Sequence, residues 1–356
     1  MSVGFKEALR RRVGRMLRPG GRAVILLYHR IAEDRSDPYG LCVTPPHFEE
    51  HLRVIREVGR PFPLHDLARA MRSGSVPDGA VCITFDDGYV DNLRVAKPLL
   101  ARGDVPATVF MTTGRAGRDR EFWWEELQRA FFEPVELPAG LELTIDGNHR
   151  VWRLGSDATY AADDPRRLSA WHVLDEGAPS ARHAAFREAY ASIRPLAQAE
   201  RTRVIDTLLA WAGIPVATVR ESRRALEPVE VVELASGGLV EIGAHTVNHP
   251  ALPSQPAEVQ REEVARSKAD VEAWLGTGVP GFAYPYGLYD DASVAAARDA
   301  GFAYACSCDG GPVWRRTEPY LLPRLEVADC DGDRLAELLR WELHGRRPSQ
   351  QRDGDR

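Results

Sequence analysis

Two short stretches carry residue types that do chemistry. Residues 81–92, VCITFDDGYVDN, set Asp86 beside Asp87 where a run of strand formers, Val81, Cys82, Ile83 and Phe85, gives out. Adjacent carboxylates repel each other, so the pair needs a compensating charge or a solvated turn. Residues 245–249, HTVNH, hold His245 and His249, and Pro250 disfavours helical geometry at His249, which puts the two imidazoles on a loop. Two imidazoles and one carboxylate make a facial site for a divalent ion, with open positions for water and substrate. If one aspartate ligates the ion, the cation offsets the repulsion. The other can then take a proton from metal-bound water, whose pKa falls toward ~7. Taken alone, Asp-Asp-Gly is more often a cap or a turn. A rival H-x-x-x-H, His47 and His51, sits on a predicted surface helix and lacks the glutamate of H-E-x-x-H, since Phe48 follows His47.

The elements that must bring these groups together are apolar, β-branched runs, each followed by a polar loop and a helix-like stretch. They are AVILLYHR (23–30), AVCITFDD (80–87), PATVFMTTG (106–114), GLVEIGAHT (238–246), GFAYPYG (281–287), FAYACSC (302–308) and YLLPRLEV (320–327). Near-continuous apolar strands separated by helices imply a parallel sheet covered on both faces, and about seven of them suit a barrel. The chain is read as α/β, a distorted (β/α) barrel of about seven parallel strands with a mainly helical insertion. The strand ends carry His29, Asp86-Asp87 and His245, with His249 just beyond. In a parallel barrel those ends converge on one face.

Helices carry their own punctuation. In VTPPHFEEHLRVIREVG, Thr44 is placed to cap and Gly59 to stop. In SQPAEVQREEVARSKADVEAWLGTG, Val259, Val264, Val271 and Leu275 line one face and Gly276 ends the helix. The rhythm breaks over 115–234, where EFWWEELQRAFFEP and ARHAAFREAYASIRPLAQAERTRVIDTLLAWAG read as helices and LELTIDGNHRVWRL as a hairpin turning at Asp146-Gly147. This insertion should have a small core of its own. Trp123 and Trp124 suit either that core or a sugar ring, with core favoured. Residues 331–356 read as a helix and a polar tail.

With 356 residues, 44% hydrophobic and 28% charged, the chain has an ordinary soluble composition, and a formal net charge of −6 excludes a protein built to coat nucleic acid. The five cysteines lack zinc-type spacing and read as reduced thiols. No segment is long and apolar enough to span a bilayer. In residues 1–22, Phe5, Leu9, Val13, Met16 and Leu17 form a stripe among arginines. That pattern suits a helix on an anionic membrane surface or a solvated helix packed on the domain. With no secretory h-region, the expectation is a cytoplasmic protein with peripheral contact to the inner face of the membrane as an option.

TFDDGY (84–89) and HTVNH (245–249) resemble the first two motifs of the polysaccharide deacetylases, the NodB-homology carbohydrate esterases. FAYPYG (282–287) resembles the third. LLYHRI (26–31) ahead of TFDDGY is similar to the subgroup of poly-N-acetylglucosamine deacetylases. The resemblance covers 23–114 and 235–330. It implies a metal-dependent hydrolase that removes N-acetyl groups from amino sugars of a polysaccharide or glycolipid precursor. It casts Asp86 as general base. Asp87, His245 and His249 become the ligands of one divalent ion, zinc first, with cobalt, nickel or manganese as alternatives. The Tyr286 backbone N–H would help bind the oxyanion. The leaving amine needs an acid. Many members supply it from a Leu-x-His motif on a C-terminal strand; here the histidine near that end, His344 in ELH, lies in a polar helical tail and ELH lacks that pattern, so the role is given to His29 at its strand end. The arginine usual two residues before the third motif's proline is Ala283 here, and Arg324 in LLPRLEV is assigned to orient Asp86 in its place. Three rivals stand beside this reading. They are an amidohydrolase of the same fold acting on a non-sugar amide, an iron site for oxygen chemistry, and a non-catalytic carbohydrate-binding barrel.

Overall fold

The β-branched runs pair side by side and all in one direction. The computed structural model describes residues 21–34, 36–160 and 171–345. Within it the strands of the barrel wall are β1 (Ala23–Tyr28), β2 (Ala80–Phe85), β3 (Ala107–Met111), β4 (Val240–Ala244), β5 (Gly281–Ala283), β6 (Tyr304–Cys306) and β7 (Leu325–Glu326), and the two residues Arg60–Pro61 add a short parallel pairing to β2. Their order in space is β6-β5-β4-β3-β2-β1-β7, every pair parallel. Leu322, just ahead of β7, bridges Cys306 of β6, while β7 pairs with β1, so the sheet curls back toward its own first edge. This is the distorted barrel of seven parallel strands that the sequence predicts. The last run is shorter than its apolar length suggests. Pro323 has no N–H to donate, and the regular ladder covers only Leu325 and Glu326.

Alternation along the strands separates two apolar layers. Val24, Leu26, Tyr28, Val81, Ile83 and Phe85 pack outward, with Phe48, Leu52 and Ile55 of helix α1 (Pro45–Val58) in the same cluster. Ala23, Ile25, Ala80, Cys82, Phe110, Tyr304 and Cys306 share the other cluster, inside the curl. Around the sheet follow α2 (Leu64–Arg72) and α3 (Lys97–Gly103). The insertion supplies α4 (Trp123–Phe132), α5 (Ala181–Ile193) and α6 (Gln198–Trp211). Then come α7 (Pro228–Ala235), α8 (Ala257–Leu275), α9 (Asp291–Asp299) and α10 (Gly332–His344).

Some local readings change. Thr44 holds the N-cap position of α1 but makes no side-chain cap; its N–H and hydroxyl both donate to Asp329. Val264 and Val271 are buried on α8, whereas Val259 is 37% exposed in the first turn. The long helical stretch after 180 is two helices, because Pro195 follows the end of α5. In the insertion, Gly140–Ile145 and Asn148–Arg153 pair antiparallel across Asp146-Gly147, both left-handed as a two-residue hairpin turn requires. The insertion's apolar side chains, Phe131, Phe186 and Leu208 among them, form a second core, and Tyr39 and Tyr89 of the barrel reach into it. All five cysteines are free thiols. Among the described residues, no helix is long and apolar enough to cross a membrane. The amphipathic segment predicted in 1–22 falls almost entirely outside the described residues, as does the polar tail from 346.

Candidate active site at the strand ends

Register places the first three candidates. Tyr28 pairs with Phe85, and the Asp86 N–H donates to the Tyr28 carbonyl at 3.0 Å. One step further along, His29 therefore stands beside Asp86. His29 continues the inward set Ala23, Ile25, and Asp86 continues Ala80, Cys82, Thr84. Arg324 comes from the seam that closes the curl, and its Nη1 reaches the Thr84 hydroxyl at 3.3 Å. All three side chains thus enter the barrel mouth from the inner face.

Asp87 would face outward on a continuing strand. Its φ of 72° breaks that alternation and swings the carboxylate inward. Three other non-glycine residues of the site, Thr246 (φ 64°), His249 (φ 54°) and Tyr286 (φ 58°), are left-handed as well. Such backbone costs of order 1–3 kcal/mol each and persists where the surroundings over-determine it. Gly88, at φ +78°, makes the turn after the pair; a Cβ there would lie 2.3 Å from the Met111 sulfur.

Asp87, His245 and His249 offer ligand atoms that all lie within 4.8 Å of one another, and all three residues are buried. His245 Nδ1 lies 2.8 Å from the Ala283 carbonyl. A carbonyl can only accept, so Nδ1 carries the proton and Nε2 keeps its lone pair, 3.7 Å from Asp87 Oδ1. A backbone acceptor fixing the remote nitrogen is the usual support of a metal-bound imidazole. His249 Nε2 lies 3.4 Å from the same Asp87 oxygen. Burial pushes the His245 pKa down to about 4, against the pull of Asp86 and the Ala283 carbonyl. Burial, then His245 and Arg201, lower His249 well below its ordinary value. Both rings are therefore neutral donors. Asp87 is pushed up by burial and by the nearby Asp86 and Glu125 charges, and among the described residues its Oδ1 has no hydrogen-bond partner. A buried carboxylate oxygen without a hydrogen bond, facing two neutral imidazole nitrogens, fits a divalent cation.

Asp86 is held differently. Arg324 Nη1 donates to Oδ1 and Nη2 to Oδ2, each at 2.7 Å. Burial alone would raise the Asp86 pKa, but Arg324 and His245 outweigh it and keep the carboxylate below its ordinary value. Burial lowers His29, with Asp86 and Glu326 pulling the other way.

His29, Asp86, Asp87, His245, His249 and Tyr286 line one cavity of about 220 Å³. Its far wall comes from the insertion. The Trp124 ring lies 4.7 Å from the His249 ring, and the Tyr286 ring 4.5 Å from it on another side. Trp123 and Trp124 are 3% and 5% exposed within the insertion core, so they belong to that core, yet Trp124 also lines the cavity.

The remaining histidine candidates lie elsewhere. His51 is buried with Nδ1 3.2 Å from the Tyr28 hydroxyl and Nε2 2.7 Å from the Cys330 carbonyl, and His47 pairs with Asp329. His344 is exposed at the end of α10. The neighbouring Leu343 carbonyl accepts from Arg22, ahead of β1, at the opposite end of the barrel from the cavity.

Sequence reasoning missed the shell behind these groups. Glu125 accepts from the Tyr89 hydroxyl at 3.0 Å and from Arg223, with Arg220 at 3.3 Å and Arg30 at 3.9 Å. Asp91 accepts from Arg30 Nε and the Ile31 N–H, at 3.1 Å each. Glu263 accepts from the Val247 and Asn248 N–H groups inside the HTVNH loop. Lone charged residues have no spacing that marks them. The only signal was position, since Arg30 follows His29 and Asp91 ends the DDGYVD stretch.

A parallel barrel with two histidines and an aspartate pair at its mouth is a recognisable class of site, and comparison with known proteins agrees. The family profile named polysaccharide deacetylase matches residues 73–139 and 198–305, which include Asp86, Asp87, His245, His249 and Tyr286 but neither His29 nor Arg324. Over those residues, just under half of its length, the chain is similar to the polysaccharide deacetylase family. YxkH of Bacillus subtilis (strain 168), named for the same family, is 31% identical over 106 residues; the match spans 29% of this chain and 37% of that relative's length. Among solved structures, IcaB from Ammonifex degensii superposes with a TM-score of 0.55 at 17% identity, covering 91% of this chain and 98% of that one. The Streptococcus pyogenes deacetylase PplD, solved in complex with acetate, gives 0.53 at 19%, covering 89% and 97%. A de-N-acetylase from Aggregatibacter actinomycetemcomitans gives 0.51 at 15%, covering 86% and 95%. At these identities the likeness is one of fold.

Proposed function

We propose that this chain is a metal-dependent hydrolase that removes N-acetyl groups from amino sugars of a polysaccharide or glycolipid precursor, as the poly-N-acetylglucosamine deacetylases do. The observation that carries the reading is the pairing of a buried Asp87 oxygen without a hydrogen bond, facing two neutral imidazoles, with an Asp86 clamped by Arg324, in one cavity. The likeness to the polysaccharide deacetylase family and the acetate in PplD support the same chemistry.

Asp87, His245 and His249 would hold the ion, zinc by the donor set, with cobalt, nickel or manganese as alternatives. When bound, a divalent ion polarises an amide carbonyl and makes hydroxide available near neutral pH. Asp86, kept ionised and oriented by Arg324, accepts the proton of the attacking water. The Tyr286 N–H donates to the oxygen on which charge develops. His29, beside Asp86 in register, gives a proton to the departing amine nitrogen; burial lowers its pKa on balance, and the charges of Asp86 and Glu326 work against that lowering. The products are free acetate and a glucosamine-type amine.

The test is acetate release from N-acetylglucosamine oligomers and from non-sugar acetamides by the purified chain, before and after chelation and re-addition of zinc, cobalt, nickel or manganese. Sugar-dependent release lost on chelation and restored by metal is expected. Release from small amides alone moves the substrate class, and activity untouched by chelator removes the metal.

A further inference from the structure

The insertion touches each of the three motifs that build the site. Trp124 Nε1–H donates to the Tyr89 hydroxyl at 2.7 Å, and Trp123 Nε1–H to the Tyr286 hydroxyl at 3.2 Å. The third contact comes from α6. Arg201 Nη1 donates to the His249 carbonyl at 3.1 Å, and Nη2 donates to the Asn248 carbonyl. Gln198 steadies the same guanidinium at 2.6 Å, and its Cζ lies 5.7 Å from the centre of the Trp123 ring.

Arg201 is 1% exposed, and its bonds go to carbonyl and amide oxygens rather than to a carboxylate. Burying a cation this way is costly, so the contact calls for a return. What it grips is the left-handed turn at His249, whose N–H is already tied to the Thr246 hydroxyl at 3.0 Å. Glu263 holds the amides of the preceding two residues from the other side. The loop is therefore clamped by an anion on its N–H groups and a cation on its carbonyls. The direction of the His249 imidazole depends on both.

We propose that Arg201 is a positioning residue for the metal site. By fixing the carbonyls of Asn248 and His249 it aims the His249 ring at Asp87 and His245, and it makes the insertion a working part of the site. This rests on the metal reading above and deepens it.

The test is zinc affinity of the full chain, by competition with a chromogenic chelator, with folding checked by thermal melting. Arg201→Gln is expected to lose about 10–100-fold in affinity, the scale for groups that orient a ligand. Arg201→Lys should recover part of that loss, since one ammonium reaches one carbonyl. Trp211→Phe is the control on the same helix. It loses a bond to the Gly140 carbonyl, far from the loop, and should lower the melting temperature while leaving zinc affinity unchanged. If Arg201→Gln fails to fold, the lysine variant carries the comparison. Wild-type affinity in folded Arg201 variants overturns the proposal, as does a zinc loss in Trp211→Phe equal to that of Arg201→Gln. A wild-type chain that binds no divalent ion overturns the metal reading and this inference with it.

Discussion

Arg324 grips Asp86 through both terminal nitrogens, at 2.7 Å each, with both side chains buried. The fork fixes the carboxylate plane as well as its charge, which a lysine's point charge does not. Arg324→Lys should therefore lower kcat by about 10²-fold, the scale of a misplaced reacting group, while keeping most of the fold. Arg324→Ala should also destabilise by about 3–5 kcal/mol, because Asp86 is left buried and unpaired. Steady-state kinetics and thermal melts separate the two effects. A lysine variant with wild-type kcat would show that charge alone suffices.

The two aspartates should respond differently to loss of charge. Asp87→Asn, like His245→Ala and His249→Ala, removes a member of the buried donor set and should reduce divalent metal content after dialysis, read by elemental analysis. Asp86→Asn should retain metal and lose most turnover, since its oxygens are already engaged by Arg324. The opposite pattern, metal lost in Asp86→Asn and kept in Asp87→Asn, would reverse the two roles.

The barrel was legible because its strands are near-continuous β-branched runs, and the site because those runs end in chemistry-bearing residues. Arg324 was reachable only by asking what could replace Ala283, since nothing in LLPRLEV marks an arginine that lies on a closing seam. The inward turn of Asp87 was not readable at all. Strand alternation sends it outward, and only its left-handed φ brings it to His245 and His249. The insertion's part in the site was hidden for a similar reason. Its aromatic residues announce a core, and they form one, but the sequence does not say that the same core supplies a wall of the cavity.

The buried cluster around Glu125 gives a pH-dependent signature. Burial would raise the Glu125 pKa, but Arg223, Arg30 and Arg220 outweigh it and hold the group below its ordinary value. A carboxylate whose folded pKa is depressed adds stability above its unfolded value, about 4.3, and loses it as pH falls through the folded value. Glu125→Gln should cost about 3–5 kcal/mol near pH 7, because buried arginines lose their counter-charge. The gap from wild type should stay level from pH 8 to about 5 and narrow below about 4. Denaturant titrations across that range check it; a gap that widens on acidification contradicts the sign.

His29 and His344 remain to be separated as proton donors. His29 stands next to Asp86 in the strand register and lines the cavity, whereas His344 is exposed at the end of α10, at the far end of the barrel. Expelling an amine from the tetrahedral intermediate needs a proton, and a placed imidazole contributes about 10² to 10⁴-fold. His29→Ala should lower kcat by that order with metal content unchanged. Its pH–rate profile should lose the alkaline limb, since that limb reports loss of the imidazolium. His344→Ala should leave the rate as it is. A point substitution is the right form of the control. Removing the chain from Trp341 onward would also delete Leu343, which is 3% exposed in the core and whose carbonyl accepts from Arg22 at 3.3 Å. A large loss of kcat in His344→Ala with a near-normal rate in His29→Ala would move the acid to α10, against the register that sets His29 beside Asp86.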